Sequence, residues 1–158
     1  MLKRPTRLAV AAVVGAVAAV FASTAAADQY FHTVHAELTP IGGAPLKSGF
    51  VNDIHTNGAT ISAQERYQLN GAEPNTTYTV ALHIYSDSNC TTLTRTIPTA
   101  TFTTNAAGNG EASHTFFQTG PWPPPTPPTL RTVYIQWVFT SGGVPQYETG
   151  CIPVVLGG

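Results

Sequence analysis

Apolar and polar residues alternate with a period of two along most of the chain beyond its N-terminal segment. In the run Tyr30 to Leu38, Val34, Ala36 and Leu38 share one face. Phe50 to His55 is a short run of mixed character. Ile61, Ala63, Tyr67 and Leu69 alternate with Ser62, Gln64, Arg66 and Gln68. Tyr78, Val80, Leu82 and Ile84 alternate with Thr79, Ala81 and His83. A Thr-rich run surrounds Phe102, and Glu111 to Gln118 follows a turn. Val133, Ile135, Trp137 and Phe139 alternate with Tyr134, Gln136 and Val138, and a last run, Gln146 to Leu156, carries Cys151. Turn residues separate these runs: Gly42-Gly43, Asn57-Gly58, Asn70-Gly71, Gly108-Asn109-Gly110 and Gly142-Gly143.

Nowhere in these runs does a 3.6-residue period last ten residues. Ile61 to Leu69 comes nearest to a short helix, but alternation favours a strand. A strand would set Glu65 on the apolar face, which calls for a polar partner or a sheet edge. The pattern therefore predicts an all-β fold of about eight antiparallel strands, a sandwich or flattened barrel, with Greek-key order implied by the long connections. Residues 121–128 stand outside this pattern. Pro121, Pro123, Pro124, Pro125, Pro127 and Pro128 flank Trp122 and Thr126, forcing polyproline II and forbidding a ladder.

The first 27 residues read as a cleavable secretory signal. Lys3, Arg4 and Arg7 precede an uncharged 14-residue apolar run, Leu8 to Phe21, and small residues lead to Ala27. That run is short of the ~20 residues of a spanning helix. Residues 28–158 then form one exported domain, and the Ala/Val-rich signal looks bacterial. They hold four basic residues, Lys47, Arg66, Arg95 and Arg131, against eight acidic ones, a net charge of −4. This excludes a basic patch for nucleic acid or anionic lipid. In an oxidising compartment Cys90 and Cys151, 61 residues apart, read as a disulfide. Free thiols or a metal pair is the competing reading, and no His or second Cys stands at ligand spacing from either.

Candidate chemistry is sparse. His32 and His35 would lie on opposite faces of a strand and so could not share a metal, although with Asp28 a flexible N-terminal segment could chelate copper or zinc weakly. His83 is expected on the solvent side of its strand. Glu65 and Glu148 could form a glycosidase-type carboxylate pair, one of many such pairs that eight acidic residues allow. No G-x-S-x-G elbow, phosphate loop or dinucleotide fingerprint occurs. Trp122 in the proline stretch is either a recognition anchor or packed on the domain's own flank.

Two resemblances add to this reading. Leu69-Asn70-Gly71-Ala72-Glu73-Pro74-Asn75-Thr76-Thr77-Tyr78-Thr79-Val80 resembles the tyrosine corner of fibronectin type III and other immunoglobulin-like sandwiches, which implies that the Tyr78 hydroxyl bonds back to the preceding turn. From Leu69 onward the motif order is similar to Cu/Zn superoxide dismutases and the metal-free chordin-type domains. It runs through Glu73-Pro74, His83-Ile84-Tyr85, the loop with Cys90, Thr104 to Ala112, Arg131-Thr132 to Gln136, and Gly150-Cys151. The resemblance implies a Greek-key barrel whose disulfide ties a loop to the last strand. Only His83 stands where that family has a copper ligand. Tyr85 and Gln136 occupy two other ligand positions, and Cys90 to Thr104 has no His or Asp for a zinc loop.

The resulting expectation is a monomeric, non-enzymatic protein outside the cell, without a cofactor, that binds an extracellular protein or glycan or serves structurally. The alternative is a copper- or zinc-binding relative of the dismutases that uses His32, His35 or His83 and lacks dismutase activity.

Overall fold

The computed structural model describes residues 31–56, 62–117 and 131–156. The signal-like segment, the Asn57-Gly58 turn and the proline stretch lie outside the described residues. Among those described, the chain forms nine strands and no helix. They are β1 (Phe31–Pro40), β2 (Ser48–Thr56), β3 (Ser62–Asn70), β4 (Thr77–Tyr85), β5 (Leu93–Thr103), β6 (Gly110–Phe117), β7 (Arg131–Ser141), β8 (Val144–Thr149) and β9 (Ile152–Leu156).

Every pairing is antiparallel. The order β5-β4-β7-β8-β1-β2-β3-β6 makes one continuous sheet, with β9 also on β7. β5 and β6 pack beside each other without completing the ladder, so the sheet is nearly closed into a barrel. β7 returns beside β4 after the β4-β5-β6 excursion, a Greek-key arrangement.

The strand expected to run unbroken from Gln146 to Leu156 is two. β8 and β9 line the same edge of β7, β8 opposite Val138–Ser141 and β9 opposite Arg131–Ile135. Between them the Trp137 N–H donates to Thr149 Oγ1 (3.0 Å) and the Gln136 amide donates to the Thr149 carbonyl (2.9 Å). Side chains thus satisfy backbone groups that a continuous ladder would have paired. A similar patch occurs at Pro98 on β5, which cannot donate. The register slips opposite Val80/Ala81, and the Thr99 hydroxyl donates to the Val80 carbonyl (3.2 Å).

Within the run Ile61 to Leu69, the described residues from Ser62 onward form a strand, β3, with Glu65, Tyr67 and Leu69 buried on its inward face. The core is uneven along the barrel axis. One half is filled by aromatic rings: Phe139 meets Tyr67 and Phe102 edge-on, with centroids 5.9 and 6.3 Å apart, and Tyr78 packs on Tyr147 at 5.5 Å. The other half is lined by smaller aliphatic side chains, and there the interior is not filled.

Tyr78 departs from the expected corner. It points into the core, and its hydroxyl shares a hydrogen bond with that of Tyr147 (3.2 Å), which in turn donates to the Pro45 carbonyl (2.7 Å). Thr104 ties the 73–76 turn instead, donating to the Glu73 carbonyl (2.6 Å) and accepting from the Thr76 N–H (3.0 Å). A short side chain opposite the turn reaches its backbone more directly than a ring buried behind it. Cys90 and Cys151 form a disulfide, so the competing free-thiol reading falls. It joins the β4–β5 loop to the residue preceding β9.

Candidate functional site

The unfilled half of the interior is a cavity of about 70 Å³. It lies at the end of the barrel where β2, β4 and β6 finish and β3, β5 and β7 begin. Leu82, Ile84, Ile97, Val133, Ile135 and Val154 supply apolar wall, and Trp137 closes the floor toward the aromatic half. Set into this apolar surface are Asp53, His55, Glu65 and His114.

Strand register brings the four together. Asp53 and His55 are alternate residues of β2 and therefore share its inward face. Asp53 pairs directly with Glu65 on β3, and Glu65 pairs on its other side with His114 on β6. Two carboxyl groups thus stand side by side on one inward face, each only 4% exposed. Like charges directly opposite across strands repel, and burial adds a desolvation cost to each.

Neighbouring donors relieve part of this. The Tyr67 hydroxyl donates to Glu65 Oε2, and the Trp137 indole N–H donates to Oε1 (3.1 Å). His55 Nδ1 meets Asp53 Oδ2 at 2.7 Å. His32 stacks on the His55 ring, centroids 5.6 Å apart. Asp53 Oδ1 is buried and meets no donor among the described residues. Burial pushes the Glu65 carboxyl up to about 7; the Asp53 charge adds to the rise, while the Tyr67 and Trp137 hydrogen bonds oppose it. Burial also raises the Tyr67 hydroxyl, helped by the Glu65 charge. Near neutral pH the site therefore holds one carboxyl poised between its two protonation states.

The residues singled out from the sequence fall elsewhere. His35 is on the outer face of β1, its Nδ1 2.6 Å from Asn52 Oδ1. His32 lies at the inward rim, opposite His55. His83 is on the outer face of β4, where its Nδ1 lies 3.3 Å from the Tyr85 hydroxyl, which donates to Gln136 Oε1 (3.1 Å). Partial burial lowers the His83 imidazole. His83, Tyr85 and Gln136, aligned by the dismutase resemblance, are thus linked by hydrogen bonds among themselves. Among the described residues no group of three His, Cys, Asp or Glu is arranged to hold a metal ion. Glu65 and Glu148 do not pair: Glu148 alternates with the inward Tyr147 and Thr149, so it faces away from the interior.

Of this site, sequence reasoning found only Glu65, as a polar residue on an apolar face. Asp53, His55 and His114 went unnoticed because polar inward residues erase the alternation that marks a strand's buried side. The signal that could have found Asp53 and His55 is the acid–His pair at i, i+2, which a strand sets on one face. No family model, curated protein or solved structure matches the chain.

Proposed function

We propose that the chain is an exported, non-enzymatic binding protein whose ligand site is the cavity between the two halves of the sheet. One observation carries the reading: two carboxyl groups and two imidazoles converge on a single spot of an otherwise apolar interior. Buried ionisable groups cost stability. A barrel with a purely structural role gains nothing from them, whereas a concave apolar site with a few converging polar groups is the usual form of a small-molecule site. The ligand is therefore a small molecule in preference to the protein or glycan suggested by the sequence alone.

Export is supported by the basic-then-apolar N-terminal segment and by the disulfide, which suits an oxidising compartment. A non-enzymatic role is supported by the separation of Glu65 from Glu148. A Greek-key barrel with its disulfide just before the last strand also supports distant kinship with the dismutase and chordin-type fold, with Tyr85 and Gln136 in two of its copper positions and hydrogen-bonded in a chain with His83.

The chain has two tryptophans, so Trp122→Phe leaves Trp137, on the cavity floor, as the only indole. Titration of that variant with a broad fragment set should give saturable fluorescence changes for some members, lost when Ala63→Phe fills the cavity. Bound compounds should be recovered unchanged. A set that never perturbs Trp137 would end the binding reading, and chemical turnover would end the non-enzymatic half.

A further inference from the structure

We propose that this cavity recognises a small organic cation, an ammonium or guanidinium group set against Asp53 and Glu65 with a short aliphatic body along Leu82, Ile84 and Val133. The inference rests on the binding reading above and names its ligand class.

Asp53 supplies the first argument. Its Oδ2 is engaged by His55, but Oδ1 is buried and lacks a donor among the described residues, and Asp53 is one of the residues around the cavity. A buried acceptor left without a donor is costly, so the site is completed by a ligand that brings one. Glu65 supplies the second. Each of its oxygens takes one hydrogen bond, and a carboxylate can accept about four, so acceptor capacity remains. An ammonium offers three donors and a guanidinium five, enough to bridge both carboxyls; an alcohol offers one.

Charge and size narrow the class further. An anion would be repelled by the two carboxyls. A bare metal ion would need a ligand cluster that the described residues do not form. A cavity of 70 Å³ holds roughly five water-sized groups, which leaves space for a head group and only a short stem. The wall beside the carboxyls is aliphatic, suited to that stem.

Binding should also move a proton. The titratable groups facing Glu65 are Asp53 and His55 from β2, Tyr67 on its own strand and His114 from β6. A cation held between Asp53 and Glu65 favours ionised Glu65. Because burial holds that carboxyl at about 7, the cation must displace its proton at lower pH. Affinity should therefore fall as pH drops below 7, approaching tenfold per unit.

Isobutylammonium is a suitable probe, with isobutanol as its neutral counterpart and isobutyrate as an anionic control. Trp137 fluorescence in the purified Trp122→Phe protein should report saturable binding of isobutylammonium at pH 8. Isobutanol should bind at least tenfold more weakly, and isobutyrate should not bind. Asp53→Asn should weaken the cation at least tenfold. Should that variant not fold, Glu65→Gln must abolish the pH dependence of affinity. Equal binding of isobutanol and isobutylammonium, or unchanged affinity in Asp53→Asn, overturns the cation assignment while leaving a small-molecule site standing. A cavity that takes neither these probes nor any fragment ends both readings.

Discussion

Glu65 concentrates the conflict on which the fold is built. It sits on the buried face of β3 beside Asp53, and its two hydrogen bonds do not offset the loss of water. Its carboxyl is raised to about 7 from an ordinary 4.5, so between those values the folded protein holds a proton that the unfolded chain has released. The sign follows: this group's contribution to stability is highest at low pH and falls as pH rises from 4.5 through 7, by about 3 kcal/mol in all. Urea unfolding at pH 5 and pH 8 should show wild type losing roughly this amount relative to Glu65→Gln, whose curve should be flat by comparison. Parallel pH dependences in the two proteins would show that Glu65 is ordinarily solvated. Asp87 acts in the opposite sense at the acid end. Bonds from the Thr92 and Thr91 backbone and side chain hold its carboxyl down at about 2, so its contribution is lost only as pH falls below the usual carboxylate range. Glu65's position on the apolar face was legible in the sequence, and so was its need for a polar partner. The partner itself was not, because Trp137 lies 72 residues away on another strand.

At the scale of the elements, the alternation located nearly every strand. It missed the break between β8 and β9, because a side chain–backbone exchange around Thr149 interrupts the ladder without interrupting the apolar pattern. The resemblance to the fibronectin-type corner implied a bond from Tyr78 back to its turn, but the hydroxyl turns inward and Thr104 holds the turn. The glycine turns were legible from residue type alone. Gly108 has φ +73°, and a Cβ there would meet the Ala72 carbonyl oxygen at 2.1 Å. Ala72 also donates its N–H to the Gly108 carbonyl (3.0 Å), so the turn cannot back away without breaking a bond. Gly108→Ala should therefore cost roughly 2 kcal/mol or more, a large effect for a one-carbon change, visible as a lower urea midpoint. A change under about 0.5 kcal/mol would mean the β5–β6 turn is not docked on the β3–β4 turn. The disulfide closes a separation of 61 residues. Replacing both cysteines by serine should cost on the order of 4 kcal/mol on the chain-entropy account, and an unchanged midpoint would show that the loop is already constrained in the unfolded chain.

The whole molecule divides its interior between two tasks. Interlocked rings of Tyr67, Tyr78, Phe102, Phe139 and Tyr147 fill one half and hold the two sides of the barrel together. The other half forgoes close packing for a cavity with ionisable groups in its wall. Residues 28–158 carry a net charge of −4, which favours the approach of a cation over an anion. No property of the sequence taken strand by strand revealed this division, since it arises only when β2, β3 and β6 align their polar inward positions. The account stands on a buried acid in that aligned spot. The most direct test is an NMR titration of the Glu65 side-chain carboxyl carbon in the intact protein. The expected midpoint is about 7. A midpoint near the ordinary 4.5 would mean that water reaches Glu65 freely, and would contradict both its burial and the site built on it.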